Sequence, residues 1–253
     1  MQGISKVYLT TTLLSTFSNG IQKECATAFF YTHNENLYLV TNKHVLYGDD
    51  FENQSVPIVD SIKIILHKNP RDLRQVQEYV INLFKDDKKI SLEHKYTDVD
   101  VILIPITIDR KEFVINSLKK EFIDSEDLVV DDFETIFLLG YPHGWYDDYN
   151  HLPVARVGHL SSSFNGHFKG KPVMLGDMMT HEGMSGAPVF MRLKNFITEI
   201  KGQEVFNFGK ERRVLVGIYS GQYEIPKIPK ERTNLINIWF ARMIPEILAF
   251  NGL

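Results

Sequence analysis

Ten short runs of β-branched and aromatic residues, each bounded by turn residues, leave little room for anything but strands. In the first half they are Ala28–Thr32, Leu37–Thr41, Ser61–Leu66, Tyr79–Phe84 and Val101–Ile106. In the second they are Thr135–Leu139, Val154–Gly158, Pro172–Leu175, Ala187–Phe190 and Val214–Tyr219. His33–Asn36 separates the first pair and has the composition of a hairpin turn. Val101–Ile106 is almost unbroken in its apolar character, as expected of a strand buried on both faces, with Pro105 at its end or at an edge. The fold class is therefore all-β, a barrel or a sandwich. Asn234–Leu248 departs from this pattern: Leu235, Ile238, Trp239, Arg242 and Met243 recur at helical spacing and predict an amphipathic C-terminal helix, ended or kinked by Pro245.

Residues 109–132 are charged and irregular and read as a connection between two halves. With 253 residues and a 43% hydrophobic content, the chain can bury a full core as a single domain. The net charge of −4 carries no basic excess of the kind that marks a nucleic-acid surface. No apolar run approaches the roughly 20 residues that cross a bilayer, and no signal peptide is visible, so a cytoplasmic location and no membrane partner are expected. Cys25 is the single cysteine. It cannot form an internal disulfide, and it reads as a small buried residue at the start of a strand.

Chemistry concentrates in three places. Gly183-Met184-Ser185-Gly186-Ala187-Pro188-Val189 sets a serine between glycines just before a strand. Glycines permit an unusual turn, with Met184 inside it, that can aim the N–H groups of Gly183 and Ser185 at one point. A serine becomes a nucleophile only when a base removes its proton. His44 follows the strand Leu37–Thr41, a rigid position for such a base. Asp98 and Asp100 both stand at the mouth of Val101–Ile106, where a carboxylate can orient an imidazole. From the residues alone, either aspartate is equally a turn residue. The order is His, Asp, Ser, with the first two in one half of the chain and the third in the other. His143, His151, His159 and His167 recur every eight residues, with His181 beyond. That spacing matches no short metal-ligand pair, and no metal or other cofactor is expected. Tyr141, Trp145, Tyr146 and Tyr149 form either a partner-binding loop or packing beneath a loop.

In five blocks the chain resembles the trypsin-like serine peptidases, and within them the bacterial branch without disulfides. Thr41-Asn42-Lys43-His44-Val45 is similar to the family's histidine block. Asp100-Val101-Ile102-Leu103-Ile104-Pro105-Ile106 is similar to its aspartate block, which selects Asp100 over Asp98, and 183–189 is similar to its serine block. Gly140-Tyr141-Pro142 with Val157–Leu160, and Val216–Gly221, complete the set. The resemblance implies two six-stranded antiparallel β-barrels, the first at about 1–108 and the second at about 133–225, with the C-terminal helix at about 234–250. It implies a triad of His44, Asp100 and Ser185 and an oxyanion hole from the N–H groups of Gly183 and Ser185. It makes Ser220 a hydrogen-bond donor to Asp100 and lays Tyr219, Gly221, Gln222 and Tyr223 along a bound peptide. Met179 would stand at the base of the specificity pocket and favour a medium-sized apolar side chain. Met184 stands where the secreted zymogens carry an aspartate, so no activation switch of that type is expected. The expected partners are a protein or peptide substrate and a dedicated partner protein. The alternative is a latent or inactive domain that binds proteins.

Overall fold

The computed structural model describes residues 5–123, 133–164, 166–200, 203–226 and 233–253, without side chains at 194–200 and 203–211. The first half holds β1 (Thr11–Ser18), β2 (Ile21–His33), β3 (Asn36–Thr41), the one-turn helix α1 (His44–Tyr47), β4 (Ser61–His67) and β5 (Val76–Asn82). The hairpin β6 (Phe84–Lys85) and β7 (Lys88–Lys89), then β8 (Leu92–Glu93) and β9 (Ile102–Ile106), complete it. Apart from that hairpin, the strands form one antiparallel sheet in the order β5-β4-β1-β2-β3-β9-β8. In β4 the period of two is plain, because Ile62, Ile64 and Leu66 are buried while Ser61, Lys63 and Ile65 are half-buried. The long strand β1 was missed at the sequence level: it is buried on both faces, yet its buried residues include Thr11, Thr12, Ser15 and Thr16, which read as polar.

The second half consists of β10 (Thr135–Gly140), β11 (Val154–Leu160), β12 (Val173–Asp177), β13 (Pro188–Ile200), β14 (Gln203–Gln222) and β15 (Leu235–Phe240), followed by the helix α2 (Met243–Phe250). These six strands close into a barrel, β10-β11-β12-β15-β14-β13.

Two expectations need correction. The first half is not a closed six-stranded barrel. Its seven strands wrap around one core, with Ile81 of β5 and Ile104 of β9 in the same cluster, but β8 is two residues long and no ladder joins it to β5. The predicted helix over 234–250 is also two elements. Ile236, Ile238 and Phe240 alternate into the barrel interior, and β15 pairs with both β12 and β14. Leu235, Ile238 and Trp239 satisfy a helical spacing by coincidence, and the unpaired edges of β12 and β14 decide between the two periods. The helix begins at Met243, so Pro245 falls in its first turn, where its missing N–H costs nothing and no kink follows. The barrel therefore runs on to Phe240 rather than ending near 225.

The two halves share an apolar seam. Phe29, Tyr31, Val101 and Leu103 from the first half pack with Phe190, Leu215 and Trp239 from the second and with Ile244, Ile247 and Leu248 of α2. This accounts for the unbroken apolar run at 101–106. Ile102 and Ile104 face the core of the first sheet, while Val101 and Leu103 face the seam. Residues 109–118 of the expected connection run along the first sheet, with Leu118 N–H donating to Phe30 O at 2.8 Å; Ile123 then bridges to Leu215 of β14, and 124–132 lie outside the described residues. Among the described residues no helix is long and apolar enough to cross a membrane.

Candidate active site

His44, Asp100 and Ser185 come from three separate elements: His44 and Asp100 are in direct contact, and Ser185 lies on a turn that packs against β2 and β3. β3 ends at Thr41, and His44 opens α1 three residues later. Asp100 precedes β9, which pairs with β3, so the strand register brings the aspartate beside the helix. Asn42, fully buried, reinforces this by donating from Nδ2 to Asp100 O at 2.7 Å. Beneath α1, the buried Lys43 pairs with Glu93 at 3.1 Å, and Glu93 also accepts from Tyr47 Oη at 2.6 Å. These contacts tie the histidine turn to β8.

Asp100 is only 3% exposed. Its Oδ2 lies 2.7 Å from His44 Nδ1 and accepts from Ser220 Oγ at 2.6 Å, while its Oδ1 accepts from the backbone N–H of His44 at 2.8 Å. A buried carboxylate needs such donors to remain charged. Burial draws the His44 pKa down. The Asp100 charge, its hydrogen bond, and the charges of Glu24 and Asp49 overcome that, so the pKa stands above its ordinary value. Asp98 is turned elsewhere and pairs with Lys171 at 3.2 Å.

The turn 183–186 is fixed on both sides. Gly183 and Gly186 have φ of +84° and +86°, in the left-handed region. Thr27 of β2 clasps the turn: its Oγ1 donates to Gly183 O at 2.9 Å, its N–H donates to Ser185 O at 2.9 Å, and its Oγ1 accepts from Tyr141 N–H at 3.1 Å. Met184 is fully buried in the barrel core and anchors the turn from below. Glu182 O accepts from His143 N–H at 2.6 Å. In a trans peptide the C=O and the next N–H point in opposite directions, so this bond holds the Gly183 N–H away from His143. Among the described residues, neither Gly183 N–H nor Ser185 N–H donates to a protein acceptor. Two neighbouring free donors on a rigid turn suit a developing oxyanion. No hydrogen bond joins Ser185 Oγ to His44.

Beside Ser185 opens a pocket of about 430 Å³, lined in part by His143, Thr180, His181, Tyr219, Gly221 and Gln222. Met179 is not at its base. That side chain is 58% exposed, whereas Thr180 is buried, because Tyr219 Oη donates to Thr180 Oγ1 at 2.8 Å and draws that residue inward. Burial pushes the Tyr219 pKa up to about 12, so the phenol stays protonated. Tyr223 lies outside this pocket and lines a neighbouring depression with Phe168 and Trp239.

The remaining candidates divide. Tyr141 is buried, with Tyr146 edge-on at 6.2 Å, while Trp145 and Tyr149 are exposed. Cys25 is half-buried in β2 and accepts from Gln22 Nε2 at 3.2 Å. The His143 and His181 rings stand 5.2 Å apart. Among the described residues no group of three or more His, Cys, Asp or Glu is placed to hold a metal ion. Sequence reasoning missed Thr27, Asn42 and Thr180, each a short polar residue whose role depends on a distant partner, so no local pattern marks it.

Residues 26–197 match a family model described as the trypsin-like peptidase domain. The comparison with curated proteins found no match. Among solved structures, the chain is similar to the protease Anisep from Arthrobacter nicotinovorans, at 10% identity over 92% of this chain and 90% of that one, with a TM-score of 0.53. It is similar to the thermostable serine protease AL20 from an extremophilic microorganism, at 10% identity over 97% and 98% of the two chains and a TM-score of 0.55. It is also similar to the HtrA-type protease AlgW with a tripeptide, at 14% identity over 96% of this chain and 60% of that one, with a TM-score of 0.57. At these identities the likeness is one of fold.

Proposed function

The chain belongs to the trypsin-like peptidase domain family, and from that premise we propose that it is a serine endopeptidase acting on a protein or peptide. The observation that carries this reading is the grip of one buried carboxylate on both the ring and the backbone of His44, at 2.7 and 2.8 Å. Held this way, Nδ1 keeps its proton and Nε2 is left as the base. His44 takes the proton of Ser185 as Oγ attacks the scissile carbonyl, and the Gly183 and Ser185 N–H groups receive the oxyanion. His44 then protonates the leaving amine, and water releases the acyl group from Ser185.

One observation favours a second reading, a latent or inactive domain that binds proteins: Ser185 Oγ has no hydrogen bond to His44. Catalytic contacts are often loose before substrate arrives, so this does not outweigh the Asp100–His44 pair. A fluorophosphonate probe separates the two readings, because it reacts only with an activated serine. Labelling of the wild type that disappears in Ser185→Ala and in His44→Ala is the expected result. A folded wild type that resists the probe would put the binding module ahead.

A further inference from the structure

The floor of the pocket beside Ser185 carries a hydroxyl pair with one hydrogen to spare. Thr180 is 2% exposed and Tyr219 3% exposed, and their oxygens share a single hydrogen bond of 2.8 Å. Two hydroxyls own two hydrogens, and this bond uses one. Tyr219 Oη is the donor, and among the described residues the remaining hydrogen, that of Thr180 Oγ1, has no acceptor. A buried donor without a partner is costly, and an apolar ligand would leave it so. Gln222 adds a second polar wall, donating from Nε2 to Thr180 O at 3.4 Å with its other amide hydrogen left over. His143 and His181 stand at the rim. Among the described residues the one acidic residue of the lining, Glu182, is exposed, so a lysine or arginine entering the pocket would find no carboxylate of theirs at the base.

We propose that this pocket takes the side chain on the acyl side of the scissile bond and selects one ending in a carbonyl or carboxylate oxygen, that is, glutamine or glutamate. The pairing of Thr180 with Tyr219 is the selecting element. The inference rests on the serine endopeptidase reading and replaces the apolar preference expected from Met179. A site built to donate to a substrate oxygen rejects side chains that lack one, because its own donor is then stranded.

Peptidyl phosphonates that differ only in the side chain at this position test it, since their rate of reaction with Ser185 reports the pocket directly. Four are compared, carrying glutamine, glutamate, leucine and arginine side chains, with the plain fluorophosphonate run in parallel. The glutamine or glutamate probe is expected to react at least about ten-fold faster than both others. A glutamine lead assigns the site to a neutral amide, and a glutamate lead assigns it to a carboxylate. In Thr180→Val the ratio of the better of these two over leucine should fall about ten-fold. An equal loss for all four probes in that variant would overturn the proposal. So would leucine or arginine matching the leader in the wild type, or no peptidyl probe reacting while the plain fluorophosphonate does. Failure of the plain fluorophosphonate as well would instead overturn the endopeptidase reading beneath it.

Discussion

Asp100→Asn is expected to lower kcat about ten-thousand-fold while the fold survives, because it inverts the histidine rather than removing it. The Asp100 carboxylate only accepts: Oδ2 from His44 Nδ1 and Ser220 Oγ, Oδ1 from the backbone N–H of His44. An amide of the same shape carries two hydrogens on one arm. If that arm replaces Oδ1, it confronts the His44 N–H donor to donor. If it replaces Oδ2, it donates to Nδ1, which moves the ring proton to Nε2 and leaves no base facing Ser185. Both placements cost activity, and the second costs little stability. The pH dependence follows from the same contacts. On the proposed endopeptidase reading His44 acts as neutral imidazole, so the wild-type rate should rise with pH to a plateau, with its midpoint above the ordinary value of about 6.5. Burial, the largest influence on His44, pulls downward and remains in the variant, while the Asp100 charge and hydrogen bond that push upward are gone. Any residual activity should therefore rise at lower pH than in the wild type. Stability moves with the same sign. A histidine whose folded pKa is raised adds stability that is fully present below about 6.5 and is lost as pH climbs through the folded value, so the stability gap between wild type and variant should narrow over that range. Steady-state rates on one peptide across pH, with thermal melts alongside, decide it. A loss of less than about ten-fold would mean that Asp100 does not set the tautomer.

What the sequence disclosed and what it concealed divide along one physical line. Runs whose pattern is local were readable. The alternating Ile62, Ile64 and Leu66 and the doubly buried 101–106 follow directly from which faces meet a core. So does the serine turn, since only glycine accepts φ near +85° at both 183 and 186 without strain. Features settled by a partner far along the chain were not. Leu235–Phe240 fits a helix by spacing, and becomes a strand because β12 and β14 each lack a neighbour there. Met179 is the pocket base by position in the sequence, yet a bond between Thr180 and Tyr219, 39 residues apart, turns the neighbouring side chain inward instead. Nothing at Ala26-Thr27-Ala28 announces that Thr27 will grip a turn 156 residues away. Asp98 and Asp100 show both cases at once. Each has the same local surroundings, and only the register of β9 against β3 gives one to His44 and the other to Lys171.

Gly186 lies directly against β2 and β3 of the first half, and Gly186→Ala is expected to cost about 4 kcal/mol or more, enough to lower the melting temperature by roughly 10 °C. Two costs combine. The residue sits at φ +86°, which costs an alanine about 1–2 kcal/mol. A Cβ there would also collide with the Thr27 carbonyl oxygen and Thr41 Oγ1, and come within 3.0 Å of Thr41 Cα. None of these atoms is free to give way. Thr41 Oγ1 donates to Thr27 O at 2.8 Å, Thr27 N–H donates to Ser185 O at 2.9 Å, and Gly186 N–H donates to Tyr219 O at 2.9 Å. Relief would require parting β2 and β3 from the turn that carries Ser185, so fluorophosphonate labelling should fall even at temperatures where the variant remains folded. Gly20→Ala provides the comparison. It shares a positive φ, +75°, but has nothing within 4 Å of the added carbon. Only the conformational strain applies there, about 1 kcal/mol and a shift of about 2–4 °C. If the two variants melt within a few degrees of each other and both label normally, the Cβ at 186 is accommodated, and the nucleophile turn does not depend on its close contact with Thr27 and Thr41.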